Sequence, residues 1–208
     1  MEARVAIFLH HNDLPDTIDL GREIAVDTET MGLLPHRDRL CLVQLSAGDG
    51  DAHLVKFDGT SYDAPNLVRQ LADPERLKLF HFGRFDIAVL EKYLGVTCDP
   101  VYCTKIASRL IRTYTDRHGL KNLCQELLGV DISKQQQSSD WGAPELTVAQ
   151  QEYAASDVLY LHQLRDALNV MLEREGRTDL AAQCFRFLPT RARLDLVGWD
   201  ETDIFAHS

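Results

Sequence analysis

The sequence predicts a mixed β-sheet flanked by helices, a fold of the α/β or α+β class, with a C-terminal helical part. Three observations support this prediction. The first half of the 208-residue chain holds short runs rich in Val, Ile and Leu, bounded by Gly, Asp and Pro, which is typical of strands. Helical spacing of apolar residues first appears near residue 64 and dominates after residue 104. Strands first, a mixture next and helices last indicate a sheet covered by helices.

The apolar runs and their boundaries define the elements. We expect strands at 3–10, 22–29, 39–47, 51–57, 76–82 and 101–103. Shorter helices are predicted at 64–73, 84–95, 104–112 and 120–129. A long helix should begin at Thr147, which forms a capping-box pattern with Gln150, and continue to Gly176. A last helix, 178–188, should stop at Pro189.

Composition narrows the class of protein. Apolar residues make up 45 % of the chain and charged residues 26 %, as in ordinary globular domains. The net charge of −10 argues against a large surface for long duplex DNA. No apolar run is long enough to span a bilayer, so no membrane partner is expected. The five cysteines fit no zinc pattern, and free thiols favour a cytoplasmic location.

The segment IAVDTET, residues 24–30, places two acids at the end of a predicted buried strand. Asp27 and Glu29 are two residues apart, so their side chains lie on the same face and repel each other. No Lys or Arg lies within 23–30 to neutralise them. A hard divalent cation would do so, and ligands that are all oxygen favour Mg²⁺ or Mn²⁺.

Acids interrupt apolar stretches at two further places. Asp86 lies early in a helix of core residues, and Tyr153 and Asp157 are four residues apart on one helix face. Taken singly, each has an ordinary explanation, such as a helix-dipole acid, a packed tyrosine or a solvated face. Taken together, four carboxylates could hold two ions about 4 Å apart, as in phosphoryl-transfer sites.

Three motifs carry a resemblance to a known family: DTET at 27–30, HFGRFD at 81–86 and YAASD at 153–157. In order and spacing they resemble the exonuclease motifs of the DEDD superfamily, tyrosine subclass. The stretch SDWGAPELTVAQQEYAASDVLYLHQL is similar to ribonuclease D. The resemblance implies a ribonuclease H-like sheet, with a ribonuclease D-like exonuclease domain at 1–175 and a C-terminal helical extension at 176–208.

The short chain is similar to the compact nanoRNase C type, which trims very short RNAs down to dinucleotides and forms ring-shaped homo-oligomers. The resemblance implies a metal-dependent 3′–5′ exoribonuclease that acts on short single-stranded RNA and releases nucleoside 5′-monophosphates. Two alternatives stay open: an exonuclease acting on single-stranded DNA, and an inactive, RNA-binding exonuclease-like domain. The apolar tail, 177–208, is expected to pack on its own domain or to form a subunit contact, and we favour the homo-oligomer.

The resemblance also implies roles for the five residues. Asp27 should bridge two Mg²⁺ or Mn²⁺ ions. Glu29 and Asp157 should hold the ion that activates water, and Asp86 should serve the other ion. Tyr153 should orient the water, since an ordinary tyrosine pKa of about 10 makes it a poor base at neutral pH.

Candidate substrate contacts lie around these motifs. Thr28 and Thr30 could touch the terminal sugar or simply pack in the strand. Leu33, with Met31, could wedge against the terminal base or be buried in the core. For His81 and Phe82, a structural histidine and core packing are favoured over contacts with the scissile nucleotide and a base. Trp141 is expected to stack on a base rather than pack in the core.

Basic residues are concentrated at 105–121, a segment that contains five of them and a single acid, Asp116. Lys105, Arg109 and Arg112 have the spacing of one helix face. This face is a candidate phosphate-binding surface, although an ordinary solvated face is slightly favoured.

Overall fold

The computed structural model describes residues 5–133 and 135–207. Within them, four strands come first, helices and strands then alternate, and helices follow. The strands are β1 Ile7–His11, β2 Glu23–Thr30, β3 Leu40–Ser46, β4 Ala52–Lys56, β5 Leu77–Phe80 and β6 Val101–Cys103. The first helices are α1 Pro65–Ala72, α2 Arg84–Leu94, α3 Thr104–Ile111 and α4 Leu120–Leu123. A π-helical turn, Cys124–Leu128, extends α4, and α5 Val148–Leu159, α6 Leu161–Arg174 and α7 Thr178–Leu196 complete the chain.

The described strands form one mixed sheet in the order β1-β4-β3-β2-β5-β6. β2 lies near the middle, antiparallel to β3 on one side and parallel to β5 on the other. β6 continues the sheet parallel to β5, and β1 pairs in parallel with β4 at the opposite edge. The predicted mixed sheet flanked by helices is confirmed. β5 pairs with residues 23–25 of β2, so the carboxyl-terminal half of β2 extends beyond this pairing and is joined to β3.

Helices cover the sheet and enclose two apolar clusters. α5 packs across β1 to β4, and below it lies a small cluster of buried residues that includes Leu42, Leu54 and Ala154. A larger cluster includes residues of β2, α1, α2 and α6. No helix in the described ranges is long and apolar enough to cross a membrane.

The long helix predicted from Thr147 to Gly176 is wrong in one respect, because it divides at Tyr160. Its predicted capping box is confirmed: the Thr147 hydroxyl accepts from the Gln150 backbone N–H, and the Gln150 side chain accepts from the Thr147 N–H. α5 then covers β1 to β4 while α6 packs against β5 and α3. No Gly or Pro marks the break, so tertiary packing rather than local sequence sets it.

The expected stop at Pro189 is also wrong, because α7 continues through Pro189 to Leu196. Proline removes one helical hydrogen bond, but packing on both sides of it holds the helix together. Phe185, Leu188 and Ala192 lie in the main core, and Asp195 forms a two-point ion pair with Arg84 of α2.

Smaller differences concern element ends. The first strand was predicted at 3–10, of which residues 3 and 4 lie outside the described residues, and the strand runs Ile7–His11. The helix predicted at 120–129 consists of α4 and the π-helical turn, which ends at Gly129 with a φ of 71°. Gly95 caps α2 in the left-handed conformation, as expected.

The C-terminal helix is not set apart from the sheet. α7 packs against α2, α3, α6 and β6, and its buried residues belong to the same core cluster as β2 and α2. The division of the chain into 1–175 and 176–208 therefore stays a proposal about sequence relationship, and the two parts share a core.

Candidate active site

The carboxyl-terminal half of β2 carries two acids on one face of the sheet. Asp27 and Glu29 lie opposite Gln44 and Leu42 of β3. Residues that face each other across antiparallel strands point to the same side. The register of β2 shifts between Glu29 and Thr30, where the paired strand ends. The two acids therefore lie where the sheet opens into a cleft.

Helix α5 brings the third acid to the same place. Because Tyr153 and Asp157 are four residues apart, they share the α5 face that covers the sheet. One carboxylate oxygen from each of Asp27, Glu29 and Asp157 lies within 4.8 Å of the others. The Tyr153 side chain lies close enough to Asp157 for each to shift the pKa of the other. Residues more than a hundred positions apart thus form one acidic cluster.

Asp86 approaches from the first turn of α2. It is buried, and its Oδ1 accepts a 2.7 Å hydrogen bond from the Thr28 hydroxyl. The turn before α2 is tight: a Cβ at Gly83 would lie 2.6 Å from the Cβ of Phe80. Phe82 takes a φ of 65° in this turn, a rare conformation for a residue that carries a side chain.

Burial raises the pKa of all four acids, and repulsion by neighbouring carboxylates raises it further for Asp27, Glu29 and Asp157. Desolvation is the main cause for each of them. It raises the pKa of Glu29 to about 9, with the charges of Asp157 and Asp86 adding to the effect. The pKa values of Asp86 and Asp157 rise to about 7, and that of Asp27 lies well above its ordinary value. A bound cation would lower these pKa values, because its positive charge favours the ionised form of each carboxyl group.

The donor set fits a hard divalent cation. The cluster offers carboxylate oxygens, and no His or Cys belongs to it among the described residues. Oxygen ligands of this kind suit magnesium or manganese rather than zinc. Asp86 lies outside the closest group of three, but its charge raises the pKa of Asp27, Glu29 and Asp157. The geometry therefore supports a metal centre built from all four acids.

The acids lie in a cleft of about 700 Å³. It is wide enough for a nucleotide-sized ligand. Many of the predicted substrate contacts line it, together with segments that the prediction did not include. The lining residues taken from the prediction are Thr28, Thr30, Met31, Leu33, His81, Phe82, Lys105 and Trp141.

Leu33, Met31 and Phe82 are the most exposed apolar residues of this cleft. The core packing favoured for Phe82 is wrong, because its side chain is 45 % exposed. Leu33 is 85 % exposed, so its burial in the core, one of the two alternatives, is excluded. The Lys105 ammonium lies 4.1 Å from the centroid of the Phe82 ring, a distance typical of a cation–π contact. A base and a phosphate could both reach this pair from the cleft.

The remaining predicted contacts have partners within the protein. The Thr28 hydroxyl donates to Asp86, and the Thr30 hydroxyl donates to the Gly32 carbonyl oxygen. The His81 Nδ1 and the Thr104 hydroxyl share a 2.9 Å hydrogen bond. Sugar contact through the two threonines therefore stays a prediction, and their hydroxyls already organise the site.

Two further expectations about surface position are wrong. Trp141 is 2 % exposed and packs in the smaller core cluster, with its ring tilted against that of Tyr153. The polar loop around it suggested exposure, but α5 and the sheet cover its indole. Its edge still lines the cleft.

Arg112 is the second exception. It is fully buried, ion-paired with Glu126 and bonded to the Arg117 carbonyl oxygen. The helix ends before it, so its side chain leaves the face that Lys105 and Arg109 share. Arg109 is exposed one turn beyond Lys105 and is not among the residues that line the cleft.

Several cleft residues were missed by the sequence analysis. Ser133, Gln137, Ser138 and Ser139 come from the polar segment before α5, and Lys121 comes from α4. The residues before α5 belong to a polar stretch of the sequence, and only the fold shows that they line the cleft of the acids. Gln44 was also missed: its side-chain amide donates to Asp27 Oδ2 at 3.3 Å. The signal for Gln44 was one amide within an otherwise apolar strand.

Comparison with known proteins agrees with this arrangement. A curated ribonuclease D from Gluconacetobacter diazotrophicus is 35 % identical over 173 residues, which is 82 % of this chain and 44 % of the relative. The chain thus spans less than half the length of the curated ribonuclease D proteins it matches. DNA polymerase I of Aquifex aeolicus is 34 % identical over 83 % of this chain and 29 % of the relative.

Among solved structures, NrnC of Brucella melitensis is 60 % identical with a TM-score of 0.95, and the match covers 98 % of this chain and 99 % of that one. Structures of that protein with bound pGG and with bound Mg²⁺ superpose similarly, with TM-scores of 0.95 and 0.94. A family model described as 3′–5′ exonuclease matches residues 7–173. This match includes all four acids and Tyr153, and the chain belongs to the 3′–5′ exonuclease family.

Proposed function

We propose that this protein is a metal-dependent 3′–5′ exoribonuclease that hydrolyses short single-stranded RNA, down to dinucleotides, and releases nucleoside 5′-monophosphates. One observation carries the proposal: oxygens of Asp27, Glu29 and Asp157 lie within 4.8 Å of one another beside a cleft of nucleotide size. The Brucella melitensis relative, of nearly the same length, has been solved with pGG and with Mg²⁺. These comparisons support short RNA and magnesium for this chain.

The four acids would hold two Mg²⁺ or Mn²⁺ ions. Asp27 would serve both, Glu29 and Asp157 one, and Asp86 the other. Two such ions supply Lewis-acid stabilisation of the phosphate charge and make water a stronger nucleophile at neutral pH. The chain's own contribution is to hold the carboxylates close together in a partly desolvated cleft, where the cations bind strongly.

Tyr153 would position the attacking water rather than remove a proton from it. Burial raises its pKa, and the nearby Asp157 carboxylate raises it further. A phenol of this kind stays protonated at neutral pH and donates a hydrogen bond. Its hydroxyl would orient the attacking water in line with the last phosphodiester, while Leu33 and Phe82 hold the terminal bases.

The direct test is a timed digestion of 5′-labelled RNAs, from dinucleotides upward, with Mg²⁺, Mn²⁺ or EDTA. Stepwise shortening by the native protein with metal, and none by Asp27→Asn, is the expected result. Equal rates on the dinucleotide and on longer chains would argue against a short-RNA enzyme. Binding of RNA without cleavage in either metal would support the inactive, RNA-binding alternative.

A DNA substrate is the second candidate, favoured by the similarity to a DNA polymerase I. Single-stranded DNAs of the same sequences decide between the two. Faster cleavage of RNA supports the first proposal, and faster cleavage of DNA supports the second.

We also propose a homo-oligomer of cytoplasmic location. Beyond α7, Trp199 and Ile204 are nearly half-exposed and Phe205 is three-quarters exposed, and neighbouring exposed apolar residues are typical of contact surfaces. The five cysteines are free, four of them buried, in keeping with a reducing compartment. Native mass spectrometry tests whether the protein forms a ring-shaped homo-oligomer, and a monomer at the concentration used in the cleavage assays would contradict it. Cell fractionation tests the location.

A further inference from the structure

Gln44 is a buried amide in the strand next to the acids. β3 reads LCLVQLS and is buried along its whole length. Gln44 is fully buried among these apolar residues and lies directly opposite Asp27 in the β2–β3 register. Facing positions on antiparallel strands put both side chains on one side of the sheet. The amide is therefore held against one particular carboxylate.

The hydrogen bonding of Gln44 differs from that of a glutamine that serves only the fold. Its Nε2 donates to Asp27 Oδ2 at 3.3 Å, and its buried Oε1 has no hydrogen-bond partner in the described part of the chain. Gln70 is also buried, yet both ends of its amide are bonded, to the Leu20 N–H and the Ile18 carbonyl oxygen. A buried amide that is half satisfied destabilises a fold. Its one bond, to Asp27, suggests a role at the acidic cluster.

We propose that Gln44 is a positioning residue for Asp27. Its amide fixes the Asp27 carboxylate in the orientation that brings it towards Glu29 and Asp157. The inference rests on the proposed function, because it assumes that Asp27 holds metal. Hydrogen-bond partners of ligating carboxylates orient them, and their loss lowers metal affinity or activity by about 10- to 100-fold.

The test compares Gln44→Met with Gln70→Met, the same substitution at a buried glutamine far from the acids. Methionine keeps the approximate size and removes the amide. Mn²⁺ affinity is measured by calorimetry, and thermal stability is followed as Mg²⁺ is added. We expect Gln44→Met to raise the metal concentration for half-saturation by about 10- to 100-fold. Cleavage should recover at high metal with KM for RNA unchanged. Gln70→Met should melt at a lower temperature with native metal affinity.

Metal affinity of Gln44→Met within about twofold of native, well below the expected change, would overturn the inference. If Gln44→Met does not fold, Gln44→Asn takes its place, since the amide is then one methylene too short to reach Asp27. The same loss of metal affinity supports the inference, and native affinity overturns it. If the native protein itself binds neither metal, the proposed function fails together with the inference. If the native protein binds metal and the Gln44 variants bind it equally well, the inference fails and the proposed function stands.

Discussion

The hydroxyl of Thr28 donates a 2.7 Å hydrogen bond to the carboxylate of Asp86, which joins the central strand to helix α2. The bond lowers the pKa of Asp86, although burial raises it to about 7 overall. Thr28 therefore stabilises the charged form of Asp86, the acid that α2 contributes. A residue first considered for sugar contact has a role inside the cluster.

Replacing Thr28 by Val should weaken catalysis at limiting metal. Valine has a similar shape but no donor, so Asp86 loses a partner that favours its charged form. We expect roughly tenfold lower cleavage at low Mg²⁺, with part of the loss recovered at high Mg²⁺. Rates measured over a Mg²⁺ titration check this prediction. Thr28→Ser keeps the hydroxyl and serves as the control, and equal rates for the Val variant and the native protein would contradict it.

Stability without metal should fall as the pH rises from 7 to 9. The folded-state pKa values of Asp86 and Asp157 are about 7 and that of Glu29 is about 9, all above the values of the unfolded chain. Between pH 7 and 9 the folded protein, chiefly through Glu29, still holds protons that the unfolded chain has released. A rise in pH therefore favours the unfolded chain until the folded protein has lost those protons as well. Mg²⁺ should remove most of this dependence by neutralising the carboxylates.

Urea unfolding in EDTA and in Mg²⁺, at steps across this range, measures the effect. Three histidines, His10, His53 and His118, have pKa values lowered by burial, so they titrate below this pH range. Asp157→Asn should flatten the profile in EDTA and abolish cleavage. Stability in EDTA that is constant or rises with pH would show that the acids are not desolvated as described.

Tyr153→Phe should reduce cleavage without changing the pH dependence of the rate. The phenol has a pKa raised by burial, so it is not the group that titrates near neutrality. Loss of a positioning hydrogen bond should lower kcat by less than about 100-fold, the lower end for loss of a general base. Rates of both proteins from acidic to basic pH provide the check. Disappearance of an ionisation in the Phe variant would assign a proton-transfer role to Tyr153.

Arg112→Ala should destabilise the fold, whereas Arg109→Ala should not. Arg112 is fully buried and its removal leaves Glu126 without its main partner. Breaking a fully buried ion pair removes about 3–5 kcal/mol, and because Glu126 is partly exposed we expect about 2 kcal/mol here. Unfolding in urea measures both variants. A stable Arg112→Ala protein with weakened RNA binding would instead restore the phosphate-binding prediction.

The acids could be found from sequence because each interrupts an apolar pattern within a few residues. Asp27 and Glu29 end a strand, and Tyr153 and Asp157 share a helical spacing, so local periodicity places each pair. Trp141 and Arg112 could not be placed in this way. Trp141 lies among polar residues, and Arg112 directly follows apolar residues of a helix. The burial of Trp141 comes from α5 and the sheet, and Arg112 is buried where α3 ends and pairs with Glu126, contacts that local periodicity does not show.

The helix boundaries illustrate the same limit. Gly95 and the Thr147–Gln150 capping box are local signals, and both were read correctly. The break at Tyr160 has no such signal. At Pro189 the local signal was present, but contacts of Phe185 and Leu188 with the core outweighed it. Gln44 was visible as an amide in an apolar strand, yet its partner appeared only with the strand register.

The ion pair between Arg84 and Asp195 has a consequence for how the protein can be divided. Asp195 lies beyond residue 173, where the match to the exonuclease family ends, while Arg84 lies two residues before Asp86. A truncated protein ending at residue 175 would lose α7 and uncover the outer surface of α2. The segment that matches the exonuclease family model is therefore shorter than the segment that we expect to fold on its own.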